Sequence, residues 1–323
     1  MSRTSSQPRV AVVTNMWPHP GRAAFGIFVQ EQVRGLREIE GLDVAVFPLE
    51  PIEHRSRYLS GGRISRQIAE GGFDVVHVHH PFSLLALAPN RRRLSHIPIV
   101  LTIHGIEGTD GWRRRVTSAV IGMADEIVVT NRALLERYGG HPVPCGVDPG
   151  RFHPGPPRGA GTAEVITVGE DRPEKQFWLA RAAVAWARTV PAPPFSHRFV
   201  SAVPPADMPA MYRSATVLLL SSKAEGSPMV VEEALASGLR VVATNVGDLG
   251  RRGGPPYGLY VAGEQTAPSL GRALVRALQD DRAMRPFEPD FHRLDHAVAR
   301  LAGLYRAVTG MVQPSLTDRE MAP

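Results

Sequence analysis

The sequence predicts an α/β protein of two domains built on parallel sheets. Three observations carry this. The stretch Val217–Gly250 reads as buried strand, loop, helix and buried strand in succession. The same alternation of short β-branched runs with helical segments recurs along the chain from Val10, which is the rhythm of βαβ units. Finally, 323 residues are long for one domain and comfortable for two, and a Pro- and Gly-rich stretch, Pro154–Gly161, lies near the middle.

The central stretch opens with Val217–Leu220, the length of a fully buried strand. Ser221–Gly226 is a polar loop, and Ser227-Pro228 reads as an N-cap followed by a first-turn proline. The helix is expected over Pro228–Ser237, stopped by Gly238, with the next strand at Val241–Thr244. Ligands of parallel sheets sit outside the carboxyl ends of the strands. Glu225 lies at that end, and Glu233 follows eight positions later, on the helix. A carboxylate accepts two hydrogen bonds and a sugar or ribose diol offers two donors, so this pair suits a polyhydroxyl ligand. The first amides of the helix, at Met229 and Val230, suit an anion such as a diphosphate. The plainer reading is a solvated acidic helix face at Glu232-Glu233.

Composition narrows the class. Hydrophobic residues make up 43% and charged residues 21%, which describes an ordinary soluble globular protein. No apolar run reaches transmembrane length, and the polar start MSRTSSQP leads straight into the first strand. The one cysteine, Cys145, excludes an internal disulfide and a cysteine-based zinc site. A cytoplasmic protein is expected. The formal charge is +6 and comes almost wholly from arginine, since Lys175 and Lys223 are the only lysines. Arg91-Arg92-Arg93 and Arg113-Arg114-Arg115 are clusters, but no nucleic-acid module accompanies them. A basic face meeting anionic lipid or an anionic acceptor, and plain solvated surface, both remain open.

In chain order, the first strand is Val10–Thr14, followed by a long loop and a helix from Ile27. This strand–loop–helix start lacks the Gly-x-Gly-x-x-Gly fingerprint of dinucleotide folds. Strands follow at Leu42–Phe47, Asp74–Val78 and Ile97–Ile103. Alternation puts His77 and His79 on one face of their strand, yet no carboxylate stands at ligand spacing, so no metal is expected. Histidines at strand ends donate hydrogen bonds to hydroxyls instead. A helix around Arg113–Met123, a strand at Glu126–Thr130 and a helix over Asn131–Tyr138 complete this half.

The second half opens with a strand, Ala163–Val168, and a helix predicted over Glu174–Arg188. The strand His197–Val200 and a helix around Asp207–Arg213 lead into the central stretch. Beyond it come a strand at Leu259–Ala262 and a helix at Ser269–Gln279. The last helix, Leu294–Thr309, shows i, i+3, i+4, i+7 spacing, and residues 311–323 are expected to fray.

Four ordered motifs together resemble the retaining glycosyltransferases of family 4. The strongest is Glu225-Gly226-Ser227-Pro228 followed by Glu232-Glu233-Ala234-Leu235-Ala236-Ser237-Gly238, similar to the family's Glu-x7-Glu donor-site block. His104-Gly105 is similar to its histidine-glycine pair. Val143-Pro144-Cys145-Gly146-Val147-Asp148 with Phe152-His153-Pro154 is similar to its interdomain segment, with cysteine at 145 where asparagine is usual. Gly169–Lys175 is similar to its donor-phosphate loop, but Glu170 stands where the family carries an arginine, and Arg172 is the substitute two residues on.

The resemblance implies the GT-B fold: two doubly wound Rossmann-like domains facing across a cleft. It places an acceptor-side domain at 1–155, a nucleotide-sugar donor domain at 156–290 and a helix at 291–310 that crosses back to the first. It implies retaining transfer of a sugar from a nucleotide diphosphate sugar to an acceptor hydroxyl, without cofactor or metal; no Asp-x-Asp motif is present. Lys175, Arg172 and the Met229 and Val230 amides would neutralise the departing diphosphate. Glu233 would hold the ribose diol, Glu225 the sugar hydroxyls, and His104 the sugar near its anomeric carbon. Gly26 would admit the donor phosphate or acceptor to the first loop, a structural turn being the other reading, and His77 and His79 would lie on the acceptor side. A nucleotide-sugar epimerase of the same fold, and a non-catalytic nucleotide-sugar-binding partner of another transferase, are the competing functions.

Overall fold

The computed structural model describes residues 7–22, 24–50, 54–105, 111–156, 161–252, 254–285 and 292–311. Residues 157–160 of the expected linker and 312–323 of the expected frayed end lie outside them. The first sheet holds β1 (Val10–Thr14), β2 (Val44–Pro48), β3 (Val75–His79), β4 (Ile99–Ile103), β5 (Glu126–Val129) and the short β6 (His141–Pro142). Their order is β2-β1-β3-β4-β5-β6, every pair parallel. Between them run α1 (Ile27–Glu38), α2 (Gly61–Glu70), α3 (Pro81–Leu87), α4 (Gly111–Val120) and α5 (Arg132–Tyr138).

The second sheet holds β7 (Ala163–Val168), β8 (Phe195–Val200), β9 (Val217–Leu220), β10 (Arg240–Ala243) and β11 (Leu259–Val261), ordered β11-β10-β9-β7-β8 and again parallel. Its helices are α6 (Phe177–Ala187), α7 (Met208–Ser214), α8 (Met229–Ala236) and α9 (Ala267–Gln279). The final helix, α10 (Leu294–Thr309), returns to the first sheet.

Both sheets are covered on both faces, which is why their strands read as unbroken apolar runs. Along β1, Val10 and Val12 enter one core while Ala11 and Val13 enter the core on the opposite face. The first of these is closed by α1 and α10, with Leu294, Val298, Leu301 and Tyr305 packed among the β1 valines and Leu36. The second sheet repeats the plan, with Leu218 and Leu220 on one face of β9 and Val217 and Leu219 on the other. Among the described residues no helix is long and apolar enough to cross a membrane.

Strand order decides where a ligand can sit. In each sheet the chain winds outward first to one side and then to the other, so a crevice opens between β1 and β3 and between β7 and β9. The loops leaving those strands carry Gly26, Arg172, Lys175 and Glu225.

Three local expectations change. The helix predicted over Glu174–Arg188 is broken: Pro173–Lys175 is a 3-10 turn, Gln176 is left-handed at φ +46°, and α6 begins at Phe177. The break detaches Lys175 from the helix and turns it toward the crevice. Ser227 is not the cap of α8; Pro228 holds that position in extended conformation and Met229 is the first helical residue. Gly238 does sit left-handed just past the helix end, at φ +79°. The strand predicted from Ile97 begins at Ile99, because Pro98 has no N–H to give the ladder.

Candidate active site

Glu225 stands in the loop after β9 and meets Lys175 from the loop after β7, Nζ to Oε1 at 2.7 Å. The Ser222 hydroxyl donates to the same carboxylate oxygen at 2.6 Å. The Ser221 hydroxyl, bonded to the Lys175 carbonyl at 2.7 Å, ties the two loops together, as does the Lys223 amide on the Glu174 carbonyl, also 2.7 Å. Both charged side chains remain partly accessible, at 16% and 18%. The cation and the acid expected to serve diphosphate and sugar therefore already neutralise each other at the crevice.

Glu233 lies on α8 and accepts from the Tyr212 hydroxyl at 2.9 Å. Burial pushes its carboxyl up to about 7, against the Tyr212 hydrogen bond and the Arg151 charge, which favour the ionised form. Its neighbour Glu232, about 100° further round the helix, faces elsewhere. It is buried and paired with Arg252, which also holds Asp248 at 2.9 Å, and His292 Nδ1 is 3.4 Å away. The two adjacent glutamates thus divide into an anchor for the loop after β10 and a polar group with its own hydroxyl partner; neither is part of a solvated face. The Val231 amide is taken by the Pro228 carbonyl, so Met229 and Val230 are the two amides ahead of the first internal bond of α8.

The first domain closes on this site through Gly226. A Cβ there would run into the His104 carbonyl and Gly105 Cα, so only glycine permits the approach. Asn131, which caps α5 through its side-chain oxygen, also donates to the Gly226 carbonyl at 2.9 Å. His104 is packed against Phe28, ring centroids 4.9 Å apart. Its Nε2 lies 2.9 Å from His79 Nδ1 and its Nδ1 lies 3.7 Å from Cys145 Sγ. Both nitrogens are therefore engaged in this arrangement, and any further partner of the ring has to displace one of them.

The other expected residues fall as follows. His77 and His79 do share a face, with rings 4.1 Å apart. The assignment of His77 to an acceptor is corrected: it is fully buried, its nitrogens bonded to Thr102 Oγ1 at 2.6 Å and the Tyr305 hydroxyl at 2.5 Å. Burial lowers it to about 3 and holds it neutral. His79 is also buried and reaches the crevice only through His104. Gly26 caps α1 at φ +72°, where a side chain would strike the Met16 and Trp17 backbone. Arg172 is exposed, 3.7 Å from Glu170. Among the described residues no group of three His, Cys, Asp or Glu side chains could hold a metal ion.

Sequence reasoning missed an ionic cluster beside Glu233. Arg151 bonds Glu31 at 2.7 Å and the Pro205 carbonyl at 2.8 Å, joining α1 to the loop after β8. Arg34 bonds Glu31 at 2.6 Å and Asp148 at 2.7 Å. Glu31, Arg34, Arg151 and Pro205 line an open groove of about 730 Å³ with Pro18 and Ala206. Two of the four bonds, Arg34–Asp148 and Arg151–Glu31, span 114 and 120 positions, and no local pattern announces them.

Two doubly wound domains whose strand ends meet at one crevice, with paired Lys and Glu and a helix-borne Glu, define a glycosyltransferase of the GT-B fold. Glycosyltransferase Family 4 matches residues 7–151 and Glycosyl transferases group 1 matches 158–280. Between them these two glycosyltransferase models cover both domains, and the chain is a glycosyltransferase. It is 26% identical to the D-inositol 3-phosphate glycosyltransferase of Acidothermus cellulolyticus, over 94% of this chain and 81% of that protein. Its fold is similar to the sucrose-phosphate synthase of Thermosynechococcus elongatus, TM-score 0.76 at 19% identity over 95% and 100% of the two chains. It is similar also to Anabaena HepE in complex with UDP, TM-score 0.69 at 14% identity over 93% and 100%.

Proposed function

We propose that the protein moves a sugar from a nucleotide diphosphate sugar to an acceptor hydroxyl with retention at the anomeric carbon and without a metal. The observation that carries this is the contact of Gly226 with His104 and Gly105, which sets the loop holding Glu225, with Lys175 paired to it, against the histidine-bearing segment of the other domain. The bond from the anomeric carbon to the donor phosphate oxygen breaks, and the acceptor oxygen bonds the same face of that carbon. The acceptor proton passes to the departing phosphate oxygen. Lys175 and the α8 amides stabilise the charge that grows there. Glu225 and His104 orient the sugar, and Glu233 receives the ribose diol.

HepE has been seen with UDP, so a uridine donor is the first to test, beside guanosine and adenosine donors. Incubation of each nucleotide sugar with candidate acceptors, the product anomer read by NMR and EDTA present throughout, tests the reading. An inverted product, or activity lost to EDTA and restored by magnesium, would refute it in that part.

The arginines at 91–93 and 113–115 bear on where the acceptor lies. Arg91 is turned inward to the Leu94 carbonyl and Asp125, whereas Arg114 and Arg115 are exposed beside Trp112, itself 63% exposed and stacked on Phe82. This face is proposed to meet an anionic membrane surface from the cytoplasmic side. Sedimentation with anionic but not neutral vesicles checks it.

A further inference from the structure

The two loops that would hold a diphosphate cannot do so with their own charges. Residues 169–175 and 221–226 carry Arg172, Lys175 and Lys223 against Glu170, Asp171, Glu174 and Glu225. Three cations thus stand among four carboxylates, of which Asp171 is met by Arg181 of α6 at 3.8 Å, so the loops have no net positive charge of their own. Lys175 is already paired with Glu225 at 2.7 Å, and Arg172 with Glu170 at 3.7 Å. The N-terminus of α8 adds a partial positive charge of about half a unit. A diphosphate leaving group needs at least one cation more.

One stands on the opposite wall. Arg22, in the loop between β1 and α1, sets its guanidinium over the Phe25 ring at 4.9 Å. Its Nη2 lies 3.3 Å from Glu170 Oε2, the oxygen that Arg172 also approaches. Gly169, next to Glu170, lies against the Lys175 stem, 3.8 Å from where a Cβ would stand. Arg22 is thus held on the loop that presents Lys175. Arg22 is 44% exposed and Glu170 58% exposed, so water competes for both and the pair re-partners at little cost.

We propose that Arg22 is a diphosphate ligand supplied by the first domain, and that Glu170 is its holding partner until the donor arrives. A guanidinium can exchange one carboxylate for two phosphate oxygens without losing planar, bidentate geometry. Donor binding then moves Arg22 off Glu170 and draws the β1–α1 loop toward the second domain. The inference rests on the nucleotide-sugar reading of the site.

Calorimetric titration tests it, with UDP, GDP and ADP screened first on the wild-type chain and the matching free nucleoside as the control. Arg22→Ala is expected to weaken the bound diphosphate roughly tenfold or more and to leave the nucleoside unchanged, and Arg22→Lys to recover part of the loss. Glu170→Gln is expected to tighten the diphosphate, because it removes a competitor for Arg22. Melting temperatures near that of the wild type verify that these exposed substitutions leave the fold intact. Unchanged diphosphate affinity in Arg22→Ala, with a loss in Lys175→Ala, overturns the role of Arg22 and leaves the site reading standing. An equal loss of nucleoside and diphosphate makes Arg22 an interdomain tie and overturns its phosphate role. No diphosphate binding by the wild-type chain overturns the site reading itself.

Discussion

Glu233, the residue proposed to hold the ribose, is a carboxyl that its surroundings push toward neutrality. Its environment raises it to about 7 because burial penalises the anion more than the Tyr212 hydroxyl and the Arg151 charge favour it. The folded protein therefore binds this proton more tightly than the unfolded chain does. Its contribution to stability is fullest below about 4.5 and declines as pH rises through about 7. Diol binding favours the anion, so affinity for a nucleoside is expected to rise by up to roughly tenfold from pH 6 to pH 8. Glu233→Gln should bind more weakly and remove the pH dependence, as calorimetry at the two pH values can check. Lys175 and His104 are separable in the same way. Lys175→Ala should lower kcat about 100-fold and weaken the free nucleoside diphosphate. His104→Ala should lower kcat and leave that affinity nearly intact. Equal losses would return His104 to a structural or phosphate role.

The decisive element is the β9–α8 unit with its loop. Its strand is buried on both faces, its helix presents Glu232 inward to Arg252 and Glu233 to Tyr212, and its loop reaches the other domain through Gly226. Gly226 is not left-handed, so the backbone tolerates alanine there; the obstacle is the His104 and Gly105 backbone. Gly226→Ala is therefore expected to push the domains apart with little loss of fold stability. Activity should fall tenfold or more, by the sensitivity of catalysis to small misplacements, while the melting temperature stays within a few degrees. A large fall in melting temperature with activity per folded molecule unchanged would contradict this. The 3-10 turn at Pro173–Lys175 works in the opposite sense. A continuous helix would have carried Lys175 in its first turn; the left-handed Gln176 frees it to reach Glu225.

At the scale of the molecule, α10 ties the end of the chain to the sheet of the first domain. Tyr305 is fully buried and bonds His77, 228 residues earlier, while Arg306 bonds Gln7 at 2.9 Å and Glu40 at 3.3 Å. Tyr305→Phe leaves the His77 nitrogen without that partner and is expected to cost about 1–3 kcal/mol. Urea unfolding measures it, and an unchanged midpoint would show that the hydroxyl carries no net stability. The same tie continues by contact through His77 and His79 to His104, so a modest fall in turnover should accompany the loss.

What the sequence by itself determined is local. The apolar runs of β1, β4, β7 and β9 and the helical spacing of α10 lie within single windows, where one period decides burial, so both sheets and the parallel plan were legible. The loop-to-helix spacing of Glu225 and Glu233 was legible for the same reason. Tertiary structure alone decided which partner each acid takes. Lys175 and Glu225 are 50 residues apart, Tyr212 and Glu233 21, and Arg22 and Glu170 148. It also sent Glu232 to a buried ion pair and His77 into the core, because adjacent helix positions point about 100° apart and a buried histidine must satisfy both nitrogens wherever the fold supplies hydroxyls. Such partners are chosen by the meeting of two sheets, and that meeting is set by packing over the whole chain.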